Sequence, residues 1–282
     1  VREIEVLEPG LLTTVQDLGR PGHAHLGVPR SGAVDPGSLS LANRLVGNAE
    51  GAAGLETTAT GCRVRVGRAT AIAVAGAICE VRIDDRAAAW GAAVPVPAGS
   101  TVTLGAASSG LRSYLAVAGG IAVEPELGSR ATDVLSGLGP AALRVGDRLP
   151  FGPAAGPPSD AEAVPARRKD VVEVVLGPRA DWFTPAALDV LDGAAYTVLA
   201  ESNRIGIRLA GPVLERATPG AELPSEPMVL GAVQVPPSGR PVIFLHDHPT
   251  TGGYPVVAVV RAAGLAVCAQ ARPGEVLRFR VR

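Results

Sequence analysis

Three glycine-rich stretches of this chain are dense in side chains that can bind or polarise a carbonyl. The first lies within residues 10–61 and contains TTVQDLGR at 13–20 and GVPRSGAVD at 27–35. There Gln16 can read an amide and Arg20 can clamp an anion, with Asp17 between them. The competing reading is an Asp17–Arg20 ion pair that only fixes the loop. The second stretch, SNRIGIRLAGP at 202–212, offers Ser202, Asn203, Arg204 and Arg208. On a strand, Arg204 and Arg208 flank Gly206 on one face, and the missing side chain leaves room for a ligand. Solvated surface arginines are the alternative. The third begins at LPSEP (223–227), passes through GAVQVP (231–236) and closes with DHPTTGGYP (247–255). Asp247, Thr251, Gly252, Gly253 and Tyr254 make a turn whose backbone N–H groups can face an oxyanion. A tight hairpin capped by Asp247 is the alternative. Glu226 and Gln234 are secondary candidates, since an exposed Glu and a satisfied buried Gln are both common.

Several other chemistries lack their residues. All four histidines fall in two pairs, His23/His25 and His246/His248. On a strand each pair shares a face, but no Cys or Glu stands at a supporting short spacing, so no metal site is expected. There is no G-x-S-x-G elbow around Ser31 and no Walker loop. The sole methionine is Met228, which removes the Met-Lys-Met signature of a biotin carrier. No cofactor is therefore expected to bind through a recognisable motif in this chain. A net charge of −1, with Arg167-Arg168-Lys169 as the one short basic cluster, excludes nucleic acid and anionic membrane as electrostatic partners.

The elements that must position these stretches are mainly strands. Of the 282 residues 47% are apolar and only 3% aromatic, so the core is built from Val, Leu, Ile and Ala. Thirty-five Gly and 25 Pro favour many short strands over long helices. A first strand is expected over residues 3–7. One helix follows, with Asp35 as cap, Pro36 at its first position, Gly47 at its end, and Leu39, Ala42, Leu45 and Val46 as its apolar stripe. From 62 to 149, CRVRVG, TAIAVAG, EVRIDD, STVTLG, RSYLAVAGG and LRVGDRLP each read as a strand or strand end. A Pro/Gly/Ala-rich linker, 151–170, separates a first domain, 1–150, from a second, 171–282. The second domain opens with VVEVVLG and one helix capped by Thr184, with Pro185 first and Gly193 after it; strands then run to the end, the last over 275–281. Each half thus carries one short helix on its strands. Closing each set of strands into a barrel hides the sheet edges, whereas a doubly wound parallel sheet needs helices that do not alternate here. Three widely spaced cysteines, a start without an apolar stretch, and no long apolar run make a cytoplasmic protein the expectation.

The same stretches carry a family resemblance. TTVQDLGR, GVPRSGAVD, ANRLVGN (42–48), LETT (55–58), YLAVAGGIAVEPELGSRATD (114–133), SNRIGIRLAGP and DHPTTGGYP occur in the order and spacing of the KipA family. That family is also known as the C component of 5-oxoprolinase or as allophanate hydrolase subunit 2, and is similar to the carboxyltransferase domain, subdomains A and B, of urea carboxylase. The resemblance covers nearly the whole chain, with His248-Pro249 as a local departure. It implies two cyclophilin-like β-barrel domains with short helices. It implies a KipI-like partner, the B component of 5-oxoprolinase, and a third oxoprolinase subunit, which together open 5-oxo-L-proline to L-glutamate at the expense of ATP. In the carboxyltransferase version, carboxybiotin on another chain gives its carboxyl group to urea or a related amide. In a third version the protein is a regulatory binder that antagonises a KipI-like histidine-kinase inhibitor. On the enzymatic readings Asp247, Arg204 and Arg20 are the candidate catalytic residues. Gln16, Asp17, Ser202, Asn203, Arg208, Glu226, Gln234, Thr251, Gly252, Gly253 and Tyr254 are the candidate contacts to a small amide or lactam.

Overall fold

The computed structural model describes residues 1–165 and 169–282. Residues 166–168, in the stretch read as linker and including two members of its basic cluster, lie outside the described residues. The chain is mainly β and forms two compact units, Val1–Arg20 with residues 31–165, and Pro21–Arg30 with residues 169–282.

The first unit contains β1 (Glu3–Glu8), β2 (Leu12–Gln16), α1 (Pro36–Leu45), β3 (Gly54–Thr58), β4 (Cys62–Val66), β5 (Thr70–Ile83), β6 (Arg86–Ala88), β7 (Val94–Val96), β8 (Thr101–Val117) and β9 (Arg148–Pro150). These make one curled nine-stranded sheet ordered β2-β3-β8-β4-β1-β9, with β5 along β8 and β6 and β7 on β5. The ribbon of β5 and β8 organises it. Residues 112–115 of β8 pair with β3, and residues 101–104 pair with β4. TAIAVAG and EVRIDD are one strand, not two, and so are STVTLG and RSYLAVAGG. Glycine marks a bulge here rather than a turn: the β5–β8 register shifts three times between Gly76 and Val81. Gly76 has φ +90°, and a Cβ there would lie 2.5 Å from the Arg112 carbonyl oxygen. A bulge bends a strand without ending it.

The two faces of β5 explain its composition. Ile72 and Val74 point into the barrel-like core with Val15, Leu55, Leu104 and Leu115, while Ala73 and Ala75 face α1. Small residues let the helix approach, and Leu39, Ala42, Leu45 and Val46 are all buried against them. A fully buried leucine contributes roughly 1.5–3 kcal/mol. The helix begins as its sequence dictates. The Asp35 carboxylate accepts from the Ser38 amide at 3.2 Å and from its hydroxyl at 2.7 Å. Beyond β9 the chain stays on this unit: Ser159 N donates to Leu45 O at 2.8 Å and Ala163 N to Gly91 O at 2.6 Å.

The second unit contains β10 (Val171–Leu176), α2 (Pro185–Leu191), β11 (Ala195–Val198), β12 (Gly206–Ala210), β13 (Glu226–Pro227), β14 (Ala232–Gln234), β15 (Val242–Phe244), β16 (Thr251–Gly252), β17 (Val256–Val260), α3 (Ala262–Gln270) and β18 (Val276–Val281). Seven strands close a barrel in the order β10-β17-β14-β15-β12-β11-β18, and β13 pairs with β16 as a separate ribbon. Thr184 caps α2 by accepting from Ala187 N at 3.1 Å. Tyr196 and Phe279 fill the interior, their rings 5.5 Å apart. The expectation of one helix in this half fails at α3, which follows β17 directly. Its sequence, AAGLAVCAQ, has neither a capping side chain nor a polar face to mark it, and it is held by packing of Gly264, Cys268 and Ala269. Among the described residues no helix is long and apolar enough to cross a membrane.

Candidate functional site

In the first unit, Gln16 ends β2 opposite Gly54 of β3, and the chain turns at residues 17–20. The turn is bonded to the segment 126–132. Gln16 Nε2 donates to Thr132 O at 2.9 Å and to Thr14 Oγ1 at 3.0 Å. Asp17 accepts from Ser129 Oγ at 2.6 Å, Arg130 N at 2.6 Å and Gly19 N at 2.8 Å. The Arg20 guanidinium donates to the Ala131 and Glu126 carbonyls. Arg20 is 1% exposed and Gln16 fully buried. Asp17 and Arg20 are not paired with each other. Each instead grips the same distant segment, which the local ion-pair alternative did not foresee.

A neighbouring buried network escaped sequence reasoning. Glu56 on β3 accepts from Tyr114 Oη at 2.7 Å and Val34 N at 2.9 Å, and it lies 3.7 Å from Arg112 Nε. Tyr114 Oη in turn accepts from Asp35 N at 2.8 Å. Burial, then the Glu56 and Asp35 carboxylates, push the Tyr114 phenol well above its ordinary range. Charged residues inside apolar strands, Glu56 in GLETT and Arg112 just ahead of SYLAV, are the signal that could have found it. The network fixes the chain at residues 34–35, where α1 begins.

In the second unit, Arg204 and Asp247 form a bidentate pair, Nε to Oδ2 at 2.9 Å and Nη2 to Oδ1 at 3.0 Å, with side chains 1% and 0% exposed. Asp247 N also donates to Arg204 O. The pair therefore clamps the turn before β12 to the turn after β15. The expected shared face of Arg204 and Arg208 is not found: β12 begins only at Gly206, Arg204 is buried and Arg208 is exposed. Ser202 and Asn203 serve the turn itself. Ser202 Oγ accepts from Arg208 N at 3.1 Å, and Asn203 Oδ1 accepts from Ile205 N at 2.8 Å.

The remaining candidates gather around the β13–β16 ribbon. Glu226 lies opposite Gly252 and is ion-paired with Arg179, which holds its carboxyl below the usual range. Gln234 donates to Tyr254 O at 3.1 Å. A Cβ on Gly252 would lie 2.6 Å from both Gln234 Nε2 and Met228 Cε, so a side chain there would displace the ends of both. Gly253 and Tyr254 line a half-open cavity of about 660 Å³ with Leu214, Arg216, Glu222 and Leu223. The region from 213 to 222, which forms most of that wall, carried no recognised motif. Neither histidine pair lies on a strand, and no group of three metal-ligating side chains occurs among the described residues.

The chain is thus a two-unit β protein, a curled sheet and a closed β-barrel, each with a buried guanidinium that ties a turn to a distant segment. The chain belongs to the family described as carboxyltransferase domain, subdomain A and B, whose model matches residues 26–281. It is 38% identical to the C component of 5-oxoprolinase from Escherichia coli, over 98% of this chain and 90% of that protein. It is 34% identical to urea amidolyase of Lachancea kluyveri over 98% of this chain, but spans only 17% of that protein. The crystal structure of the Kluyveromyces lactis urea carboxylase superposes with a TM-score of 0.91 at 31% identity, covering 99% of this chain and 27% of that one.

Proposed function

We propose that this chain is one subunit of a multi-subunit, ATP-dependent 5-oxoprolinase, acting with a KipI-like partner and a third subunit to open 5-oxo-L-proline to L-glutamate. The observation that carries the reading is collinearity. The match to the 5-oxoprolinase C component takes in 90% of that protein, whereas the urea amidolyase match is a 17% portion of a much longer chain. Opening the lactam adds water to the carbonyl carbon, breaks the C–N bond, and places a proton on the departing nitrogen. The reaction needs donors for a developing oxyanion and a group to manage the proton. Arg20 and Gln16 are the side chains suited to hold the substrate. Arg204 and Asp247, being engaged with each other in the core, act as positioning residues for the turns that carry Asn203 and His248. The partner subunits supply the nucleotide site.

A second reading, transfer of a carboxyl group from carboxybiotin on another chain to urea or a related amide, is supported by the TM-score of 0.91 to urea carboxylase. Co-purification with both partner subunits, followed by assay of L-glutamate from 5-oxoproline and ATP, tests the choice. Glutamate is expected from the assembly and not from this chain alone. An assembly that makes no glutamate but consumes carboxybiotin in the presence of urea would reverse the order of the two readings.

A further inference from the structure

Among the described residues, the buried side-chain atoms of the first unit that have no hydrogen-bond partner include Gln16 Oε1, Arg20 Nη1 and Thr132 Oγ1. Their residues are 0%, 1% and 4% exposed. They are tied to consecutive peptide groups, since Arg20 Nη2 donates to Ala131 O and Gln16 Nε2 to Thr132 O. Buried polar atoms are almost always bonded, and an unpaired one calls for an explanation. Arg20 adds a stronger requirement. Its guanidinium is always charged, yet its contacts are two neutral carbonyls. Among the described residues Arg20 forms no ion pair: Asp17 accepts from Ser129, Arg130 and Gly19, and Glu126 accepts from Gly139 N at 2.7 Å. A buried cation without a counter-charge is costly and is relieved by an anion.

The three atoms also specify which anion. Nη1 is a cationic donor, Oε1 an acceptor, and Oγ1 either. We propose that Gln16, Arg20 and Thr132 form a binding site for a small carboxylate that carries an N–H group next to it, the carboxylate on Arg20 Nη1 and the N–H on Gln16 Oε1. Both functional readings above offer such a molecule: 5-oxoproline, whose ring N–H adjoins the carbon bearing the carboxylate, and N-carboxyurea, whose carboxylate sits on nitrogen. The choice of the first rests on the oxoprolinase reading. The site is covered by the segment 122–147, which carries no helix or strand between β8 and β9 apart from an isolated bridge at Glu126 and Ser129. Leu127, Val134 and Leu135 on that segment are 41%, 40% and 46% exposed. The ligand enters when this segment lifts from Arg20 and Gln16, and closure over it replaces water as the partner of the three atoms. Active-site lids and binding loops are among the usual roles of a long structureless segment inside a compact domain.

The test is calorimetric titration of the full chain, alone and in the assembly, with 5-oxoproline, N-methyl-5-oxoproline, 2-pyrrolidinone and N-carboxyurea. Binding of 5-oxoproline is expected to exceed that of the decarboxylated analogue by at least about tenfold, for the loss of a charge-assisted bond to Arg20, and that of the N-methyl analogue by several-fold or more, for a neutral bond lost at the buried Gln16 Oε1. Thr132→Val removes an atom without a partner, so its unfolding midpoint should not fall while its affinity drops several-fold; Arg20→Lys should lose binding further. Equal binding of all four compounds, wild-type affinity in both variants, or a ligand-soaked crystal with only ordered water on Arg20 Nη1 overturns the site. N-carboxyurea binding that depends on Arg20 and Thr132, without 5-oxoproline binding, sustains the site and rejects the oxoprolinase reading. Turnover of 5-oxoproline by an assembly whose Arg20→Lys and Thr132→Val forms bind and react normally does the reverse.

Discussion

Replacing either partner of the Arg204–Asp247 pair should strongly destabilise the second unit. The two N–O contacts are 2.9 and 3.0 Å and the side chains are 1% and 0% exposed, so neither charge can turn to water when the other is removed. Breaking one side of such a pair costs about 3–5 kcal/mol, which is a large part of the roughly 5–15 kcal/mol that holds a typical domain together. Arg204→Ala and Asp247→Ala should each lose that amount. The double substitution Arg204→Met with Asp247→Leu should lose much less than the sum, because it leaves no stranded charge. The chain's two tryptophans allow the measurement. Trp90 belongs to the first unit and Trp182 to the second, so urea unfolding followed by fluorescence in a Trp90→Phe background reports the second unit. Single variants within about 1 kcal/mol of the parent, or a double variant equal to the sum of the singles, would show that the pair does not clamp the two turns as argued.

Tyr114→Phe should cost about 1–3 kcal/mol, since Glu56 loses a donor at 2.7 Å and Asp35 N an acceptor at 2.8 Å; thermal unfolding reads it directly. Gly139→Ala should destabilise the first unit more than Gly137→Ala: the two glycines have φ +77° and +75°, but only at 139 would the new Cβ meet a carbonyl oxygen, Ala131 O at 2.1 Å. The comparison of melting temperatures therefore isolates the contact from the backbone strain. Burial pushes the Cys62 and Cys268 thiols up to about 12. Their contribution to stability is complete below the unfolded-chain value near 9 and is lost as pH rises from there towards 12, with a slope of about 1.4 kcal/mol per pH unit for each thiol. A stability profile flat between about pH 9 and 11 in denaturant titrations would contradict this. Both thiols should also resist alkylation at about pH 8 until the chain is unfolded.

Much of the local structure was legible because its causes are local. Asp35-Pro36 and Thr184-Pro185 start helices through their own side-chain and ring geometry, and Gly47 and Gly193 follow their ends at φ +76° and +96°. The alternation of EIEV and VVEV sets which residues of β1 and β10 face inward. The candidate residues of the three glycine-rich stretches were legible too, as types and spacings. Their partners were not. Gly76 reads as a turn until β8 lies beside it and makes it a bulge, and α3 has no signal of its own because packing, not capping, holds it. Whether Arg20 pairs with Asp17 three residues away, or with carbonyls more than a hundred residues on, cannot follow from spacing. Nor can the burial of Arg204 against Asp247 while Arg208 on the adjoining strand stays in water. Charge, hydrogen-bond capacity and helix initiation are properties of neighbouring residues, so the sequence alone determined them. Which charges lose their water, and what faces them when they do, depends on strands that meet only in the folded sheet, and that the tertiary structure decided.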